Sequence, residues 1–427
     1  MRGPGGLVEG KVRALGRVAL VVRRLAVLSL HTSPLAQPGA GDGGGMNVYV
    51  RELSSALARA GIDCDVYTRA WRRGLLPTVE VEEGLRVHHV PAGPVSVVAK
   101  EKLPDVVTAF IEGVLERLDG SGRPDVLHAN YWLSGVAGHA LKHHLGLPLV
   151  STFHTLARVK AEDTQQVEAS RAKAETEVIG CSDTILASSI HEATRLERLY
   201  GADATRIEIV PPGVDHEVFA PGDRAEARRA LGLGLEDDRP VLLFVGRIQP
   251  LKGADVAVRT LAALPGDAVL VIVGGPSGPE GAAEMRRVRA LVAELGLAER
   301  VRFVAPQPHE ELPMYYRAAD VCLVPSRSES FGLVALEAAA CGTPVVAAAV
   351  GGLCTLVDHG VTGFLVEGRD PAGYAERVLH LLANPAVASG MGAAAATAAQ
   401  RYSWSITAAR LRRLYADLTA REPVECR

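Results

Sequence analysis

The strongest constraint on the fold is a repeated alternation of short apolar runs with segments of helical periodicity. A first set of runs comprises LAVLSL, CDVYTRA, LRVHHV, DVLHAN, PLVSTFH and DTILASS. A second set follows a proline-rich joint at 209–223 and comprises VLLFVGR, VLVIVGG, VRFVAP, VCLVPS, PVVAAAV and GFLVE. Runs that are apolar on both faces and alternate with helices indicate parallel sheets covered on both sides. The sequence predicts an α/β protein with two doubly wound, Rossmann-like domains facing each other across a cleft.

The length of 427 residues fits two such domains. We expect an N-terminal domain at 21–205, a C-terminal domain at 206–400, and a last segment, 401–427, whose helix crosses back toward the N-terminal domain. Residues 1–20 look like a flexible or misassigned leader.

The composition of the chain excludes some classes of binding partner. The formal net charge is -3 and no long basic block occurs, which argues against nucleic acid or an anionic membrane surface. The sequence contains no uninterrupted run of about 18 apolar residues, so it predicts no membrane span. The 6 cysteines are scattered without a CxxC pair or zinc spacing, which is typical of buried thiols in a reducing cytoplasm. We therefore expect a cytoplasmic protein with small-molecule substrates. The sequence leaves open whether the protein forms a homodimer.

A run of three glycines, in GDGGGMN, stands at the mouth of a predicted helix. Backbone N–H groups at Gly43 to Gly45 can approach a phosphate closely, and the helix directs its positive end there. Residues 39–44 also satisfy the dinucleotide pattern GxGxxG, but HTSPLAQP separates them from the strand end where the first glycine is needed. A sharp turn with positive φ is the third interpretation. We favour a phosphate site.

Two cations follow a strand of the second set. In GRIQPLK, Arg247 and Lys252 lie just beyond VLLFV. An arginine fork and a lysine point charge together suit a diphosphate. Solvated surface charge is the ordinary alternative.

Two carboxylates follow another strand. Glu329 precedes a helix expected to begin near Phe331, and Glu337 lies two turns further on. Carboxylates accept hydrogen bonds from sugar or ribose hydroxyls, and the backbone amides of Ser330, Phe331 and Gly332 would add donors at the helix start. A glutamate at a helix start is otherwise a capping charge.

GRIQPLKG and SESFGLVALEAAACGTPVVA resemble the signatures of the family 4 retaining glycosyltransferases, which have the GT-B fold. The resemblance extends from about Leu25 to Trp404. HTSPLAQPGAGDGGGMNVYV, YWLSG, FHTLARVK and GGPSG are similar to the family members of mycothiol biosynthesis, which transfer N-acetylglucosamine from UDP to 1D-myo-inositol 3-phosphate. The resemblance thus implies a UDP-sugar-dependent hexosyltransferase.

On the donor side, the resemblance implies that Arg247 and Lys252 hold the diphosphate. It implies that Glu329 contacts the transferred sugar, that Glu337 binds the ribose and that Gly45 lies against the diphosphate.

On the acceptor side, five residues match positions that bind inositol phosphate in the similar enzymes: Asn47, Lys100, Tyr131, Thr155 and Arg171. Two departures affect this side. His128–Ala129–Asn130 stands where those enzymes carry His-Ser-His, and the segment before Arg171 is shorter than usual.

The resemblance places His154 beside the reacting sugar; a core histidine with satisfied hydrogen bonds is the alternative. The motifs supply no carboxylate for a nucleophile, so we expect front-face retention, in which the leaving UDP takes the acceptor proton. Arg247, Lys252 and Glu329 complete the catalytic set with His154. No cofactor or catalytic metal is expected, and a structural or stimulatory Mg²⁺ stays open. Alternatives are another cyclitol, sugar-phosphate or natural-product acceptor, a non-catalytic nucleotide-sugar binder, and a dinucleotide oxidoreductase.

Overall fold

The computed structural model describes residues 22–39, 43–164, 168–235, 239–278 and 280–426. The leader expected at 1–20 lies outside these ranges. The strands are β1 Arg24–Leu28, β2 Asp63–Arg69, β3 Thr78–Glu82, β4 Leu85–Val90, β5 Val126–Asn130, β6 Leu149–Thr152, β7 Thr184–Ala187, β8 Ile207–Ile209, β9 Val241–Val245, β10 Val269–Val273, β11 Val301–Val304, β12 Val321–Val324, β13 Val345–Ala348 and β14 Gly363–Val366. The α-helices are α1 Gly45–Arg59, α2 Val107–Ser121, α3 Trp132–Leu145, α4 Ala157–Thr164, α5 Ala169–Cys181, α6 Ile190–Tyr200, α7 Arg224–Leu231, α8 Ala254–Ala263, α9 Gly281–Glu294, α10 Leu312–Ala318, α11 Leu333–Ala340, α12 Leu353–Leu356, α13 Pro371–Ala383, α14 Pro385–Ala399 and α15 Trp404–Thr419.

The strands form two sheets, which confirms the predicted pair of Rossmann-like domains. The first sheet has the order β3-β4-β2-β1-β5-β6-β7-β8, and the second has the order β11-β10-β9-β12-β13-β14. Every pairing is parallel except that of β3 with β4. The strand order reverses between β1 and β5 in the first sheet and between β9 and β12 in the second. Ligands of such sheets bind beyond the strand ends at these switch points.

Two strands were not predicted. The edge strand β3, TVEVE, is short and largely solvent-accessible, so it lacks an apolar run. Strand β8 pairs with β7, so the first sheet extends to Ile209, past the boundary expected between 205 and 206. The chain leaves this sheet at the following prolines, 211 and 212.

Both faces of the second sheet are buried. Successive residues of β9 contribute alternately to two apolar clusters: Leu242 and Phe244 to one, Val241 and Leu243 to the other. Burying such a side chain contributes roughly 1.5–3 kcal/mol. This two-sided burial explains why the strand reads as a continuous apolar run.

The last helix, α15, packs on the first domain. Its Trp404, Leu411 and Tyr415 belong to the apolar cluster that covers β1 and α1. The Tyr415 hydroxyl is 2.9 Å from Nδ1 of His128, which is fully buried in β5. The chain thus crosses between the domains twice, and the two crossings pair at Val214 and Ser403.

Among the residues described, no single helix is long and apolar enough to cross a membrane. Helices α13 and α14 pass that test by length and composition only as a pair, and the pair is bent by 104°.

The prediction of free thiols holds for Cys64, Cys322, Cys341 and Cys354, of which the first three are buried. It is wrong for Cys181 and Cys426, whose sulfur atoms the structure joins, with Cα atoms 4.6 Å apart. These two are separated by 245 residues, so their spacing in the sequence gives no sign of the contact.

Candidate active site

The triple glycine of the first domain lies against the second domain. A Cβ built on Gly44 would be 3.0 Å from Nε and 3.3 Å from Cζ of Arg247, and one on Gly45 would be 3.3 Å from Leu333 Cδ1. Gly44 is the N-cap of α1 and has a φ of -165°, and Gly45 also lacks positive φ. The alternative of a turn with positive φ is therefore wrong for Gly44 and Gly45. These glycines allow close approach, and they bring the positive start of α1 to a guanidinium.

Asn47 holds this loop in place. Its side-chain Nδ2 donates to Thr32 Oγ1 at 2.7 Å and to the Ser33 carbonyl at 2.5 Å, and its Oδ1 accepts from the Gly44 N–H at 2.9 Å. The side chain is 2 % exposed. Both amide protons are used within the chain, so Asn47 positions the loop, and its predicted contact with the acceptor would have to use the second lone pair of Oδ1.

Lys252 and Glu329 meet at the switch point of the second sheet. Lys252 follows β9 and Glu329 follows β12, and Nζ donates to Oε2 at 2.6 Å. The Ser326 hydroxyl donates to the same oxygen at 3.3 Å. Both charged side chains are partly exposed, at 25 % and 19 %. The cation predicted for the diphosphate and the carboxylate predicted for the sugar are therefore neighbours.

Ser330 joins the two domains across the cleft. Its hydroxyl donates to the His154 carbonyl at 2.6 Å, and its own carbonyl accepts from the hydroxyls of Ser188 and Ser189, each at 3.2 Å. The next two residues shape the start of α11. Phe331 is buried in the core of the second domain, and Gly332, with a φ of 105°, is the N-cap of the helix.

Glu337 is buried on α11 and already has two partners. Its Oε1 is 2.8 Å from His309 Nε2, and its Oε2 accepts from the Tyr316 hydroxyl at 2.7 Å. Burial opposes a charge on His309, but the Glu337 carboxylate raises the pKa of His309 above its ordinary value. Neither His309 nor Tyr316 lies in a motif, so neither partner was predicted from the sequence.

Two residues at adjacent strand ends carry unusual backbone. Among the described residues, Tyr131 and His154 are the non-glycine residues with positive φ, at 75° and 60°. Tyr131 follows β5 and is the N-cap of α3, and His154 follows β6. Such conformations cost of order 1–3 kcal/mol and cluster at functional sites. Both residues were predicted for the site from the sequence.

His154 is held as a neutral imidazole. Burial lowers its pKa to about 3, and His128 and His31 add to the effect. Its Nε2 is 3.0 Å from the side-chain oxygen of Asn130. With the amide assigned that way, Nε2 carries the proton and donates it to the bond. Nδ1 then remains as a hydrogen-bond acceptor.

Arg171, Thr155 and Tyr131 come together beside this histidine. The Arg171 guanidinium donates from one terminal nitrogen to the Thr155 carbonyl at 2.9 Å and hydroxyl at 3.1 Å, and lies 5.1 Å from the centre of the Tyr131 ring. It is 3 % exposed, and its Nε donates to the buried Glu175 at 2.8 Å. The carboxylate fixes the plane of the guanidinium.

Two lysines lie near this group, and one of them, Lys160, was not predicted from the sequence. Lys160 lies on α4, and its pKa is lowered by burial, by Arg171 and, to a lesser extent, by Lys100. Lys100 begins a short 3₁₀ helix, Lys100–Val106. We call Lys100, Lys160, Arg171, Thr155 and Tyr131 the cationic group. Lys160 stands in the motif FHTLARVK, five residues after Thr155. That spacing, about one and a half helical turns, could have indicated that Lys160 lies near Thr155.

Two family models match adjacent parts of the chain. "Glycosyltransferase Family 4" matches residues 43–218 and "Glycosyl transferases group 1" matches residues 225–398. A relative from Thermobispora bispora is 46% identical over 413 residues, which cover 94% of this chain and 96% of the relative. The chain belongs to the family 4 glycosyltransferases.

That relative is named D-inositol 3-phosphate glycosyltransferase, as is one from Geodermatophilus obscurus that is 50% identical over 400 residues, covering 91% of this chain and 88% of the relative. Among solved structures, sucrose-phosphate synthase from Thermosynechococcus elongatus has a TM-score of 0.87 and 36% identity, covering 93% of this chain and 99% of the other. The Anabaena protein HepE, in complex with UDP and glucose, has a TM-score of 0.76 at 20% identity, with 93% and 100% covered, and it shares the fold.

The cleft of this glycosyltransferase therefore has two charged sides. The first domain contributes the cationic group and His154, and the second contributes Arg247 and the Lys252–Glu329 pair. The glycine loop of the first domain reaches across to Arg247.

Proposed function

We propose that this glycosyltransferase transfers N-acetylglucosamine from UDP-N-acetylglucosamine to 1D-myo-inositol 3-phosphate with retention at the anomeric carbon, as in mycothiol biosynthesis. The names of the curated relatives support the acceptor. The glycine-loop and YWLSG motifs, which resemble those of the mycothiol enzymes, support the donor.

The observation that carries the proposal is the cationic group. An inositol 3-phosphate brings a phosphomonoester, which can take charge-assisted bonds from arginine and lysine together with hydroxyl donors. Each such bond contributes roughly 1.5–3 kcal/mol. Arg171 is buried and its geometry is fixed by Glu175, so this arginine is organised before a ligand arrives.

The donor diphosphate would lie between the start of α1 and the switch point of the second sheet. Arg247 and Lys252 supply positive charge there, and the backbone of the glycine loop supplies N–H groups. Glu329 holds Lys252 in place and can accept a hydrogen bond from a sugar hydroxyl when a donor binds.

In the proposed reaction, the bond from the anomeric carbon to the UDP oxygen breaks while an acceptor hydroxyl attacks from the same face. The hydroxyl proton passes to the departing UDP oxygen. Arg247, Lys252 and the loop amides stabilise the charge that develops on the diphosphate, so the proposal assigns no step to a metal. Transfer should therefore persist in the presence of EDTA.

His154 positions a hydroxyl in this scheme. Its neutral ring offers Nδ1 as an acceptor while Asn130 holds Nε2, and Ser330 fixes its backbone from the opposite domain. We assign it a role in orienting the sugar or the acceptor.

A second candidate is a related transfer to a phosphorylated sugar. The support is the 36% identity to a protein named sucrose-phosphate synthase, whose name contains a sugar phosphate. The cationic group would bind that phosphate equally well.

A substrate screen separates these candidates. UDP release is measured for a panel of UDP-sugars against inositol 3-phosphate, free inositol and glucose 6-phosphate, with the anomeric configuration of the product assigned by NMR. We expect turnover with UDP-N-acetylglucosamine and inositol 3-phosphate, and little with free inositol. A preference for glucose 6-phosphate, or an inverted product, would overturn the assignment.

A further inference from the structure

A second cluster of reactive side chains lies on the first domain, away from the cleft. His139 and His143 are one turn apart on α3, so they share a face of that helix. Cys181 is the last residue of α5, and Cys426 lies in the segment after α15. His139 is roughly 12 Å along α3 from Tyr131 at 1.5 Å per residue, which separates the cluster from the cationic group.

Each sulfur atom in the cluster lies close to both imidazoles. Cys181 Sγ is 3.2 Å from Nε2 of His139 and 4.0 Å from Nε2 of His143. Cys426 Sγ is 3.5 Å and 2.9 Å from the same two atoms. All four atoms lie within 4.8 Å of one another.

We propose that His139, His143, Cys181 and Cys426 bind one Zn²⁺ ion, which fastens the end of the chain to the first domain. Zinc is held tetrahedrally by Cys₂His₂ sets, with bonds of about 2.3 Å to sulfur and 2.0–2.1 Å to nitrogen. In such a tetrahedron, sulfur and nitrogen ligands lie about 3.5 Å apart, which is the middle of the range found here. Two thiolates and two imidazoles favour zinc over magnesium or calcium, which prefer oxygen ligands.

A disulfide is the competing chemistry, since the structure joins the two sulfurs. It would use two of the four groups and give no reason for two histidines to direct Nε2 at the same point. Zinc binding uses all four. The two cysteines enter as thiols and lose their protons to solvent, so Zn²⁺ replaces two H⁺ and the filled site is neutral. A chain oxidised at these cysteines first needs two electrons from a dithiol reductant.

The surroundings of the cluster show what an ion here would stabilise. Asp183 accepts from the Val424 N–H in the terminal segment, and its other oxygen pairs with the buried Lys142 at 2.7 Å. Lys142 also donates to the Cys181 carbonyl at 2.8 Å. The terminal segment follows α15, which packs on α1. An ion at the cluster therefore secures the docking of α15 without touching the cleft.

Metal analysis of untagged protein purified with a thiol reductant tests the proposal. We expect about one zinc per chain by mass spectrometry, as a single closed site requires. Replacing zinc by cobalt should give the absorption of tetrahedral Co²⁺ with thiolate-to-metal charge transfer. Removing the zinc with a strong chelator should lower the melting temperature, while turnover below that temperature stays unchanged.

Variants locate the site. Cys426→Ser and the double variant His139→Ala/His143→Ala should lose zinc and the cobalt spectrum. His144→Ala removes an exposed histidine next to His143, and Cys354→Ser removes a free thiol outside the cluster; both should keep the metal. The wild-type measurement decides the question even if a cluster variant does not fold. The proposal fails if reductant-purified wild type contains no zinc and takes up no cobalt, whether Cys181 and Cys426 are recovered as thiols or as a disulfide. It also fails if the controls lose metal as the cluster variants do.

Discussion

The backbone of Gly44 in the first domain lies against the guanidinium of Arg247 in the second, so closely that a methyl group on Gly44 would be 3.0 Å from Nε. Because Gly44 is the N-cap of α1, this contact brings the positive end of a helix and a cation to one point in the cleft. Each would repel the other, and an anion between them would be attracted by both. The proposed diphosphate site rests on this contact.

Gly44→Ala tests the contact itself. The φ of Gly44 is -165°, which any residue adopts, so alanine adds a methyl group without backbone strain. We expect the methyl group to displace Arg247 and weaken UDP binding by roughly tenfold, the equivalent of one lost charged hydrogen bond. Calorimetric titration with UDP measures this. Gly390→Ala is the control, because a Cβ at Gly390 meets nothing within 4 Å. Unchanged UDP affinity in Gly44→Ala would show that the close approach is incidental.

Removing either donor-side cation should slow transfer. Arg247→Ala and Lys252→Ala each remove positive charge from the developing diphosphate, and we expect turnover to fall by roughly 10–100-fold or more. Lys252→Ala also leaves Glu329 without its 2.6 Å partner. Arg286→Ala, at an exposed position on α9, is the matched control. Steady-state rates with saturating acceptor measure the effect, and near-wild-type turnover in both site variants would remove the donor assignment.

Lys160→Ala should weaken the binding of the acceptor and leave the binding of UDP unchanged. Burial lowers the pKa of Lys160, and the charges of Arg171 and, to a lesser extent, Lys100 lower it further, so the three cations lie near one another. We expect the acceptor KM to rise by about tenfold or more, from one lost charged bond, while UDP affinity is kept. Lys100→Ala should act in the same direction. Lys173→Ala, on α5 with an 80% exposed side chain, should change neither quantity. A loss of UDP affinity in Lys160→Ala would place the lysine on the donor side instead.

Asn130→Asp should introduce a pH dependence. In the wild type, burial lowers the pKa of His154 to about 3, so the ring is neutral at pH 5 to 8. A carboxylate at position 130 would lie beside Nε2 and favour the protonated ring, which raises that pKa. The variant should therefore lose kcat/KM as the pH falls through the raised pKa, while the wild type shows no loss from this histidine.

Asn130→Ala separates charge from contact in that experiment. It removes the hydrogen bond to His154 without adding a charge, so activity should fall evenly across the pH range. NMR titration of the histidine ring in both variants gives the pKa directly. A pKa of His154 that does not rise in Asn130→Asp would contradict the geometry given for this pair.

The sequence predicted the fold, and the meeting of charged residues beyond the strands of the second sheet, for a physical reason. Strands buried on both faces must be continuous apolar runs, and the residues that follow such strands must meet at one edge of the sheet. Arg247, Lys252 and Glu329 therefore follow from strand order. The exposed strand β3 and the three-residue strand β8 lack this signal and were missed.

Contacts that depend on tertiary packing could not be predicted from the sequence. Asn47 stands beside the glycines in the sequence, but the use of both its amide protons to hold the loop was not predicted. His309 reaches Glu337 from a different segment, and Cys426 reaches Cys181 across 245 residues. No local periodicity encodes such encounters.

A crystal structure with bound UDP tests the proposed diphosphate site. We expect the diphosphate to lie within hydrogen-bond distance of Arg247, Lys252 and the backbone of Gly44 and Gly45 together, with the ribose toward Glu337. A nucleotide bound to the second domain alone, with its diphosphate away from the glycine loop or from Arg247, would contradict it.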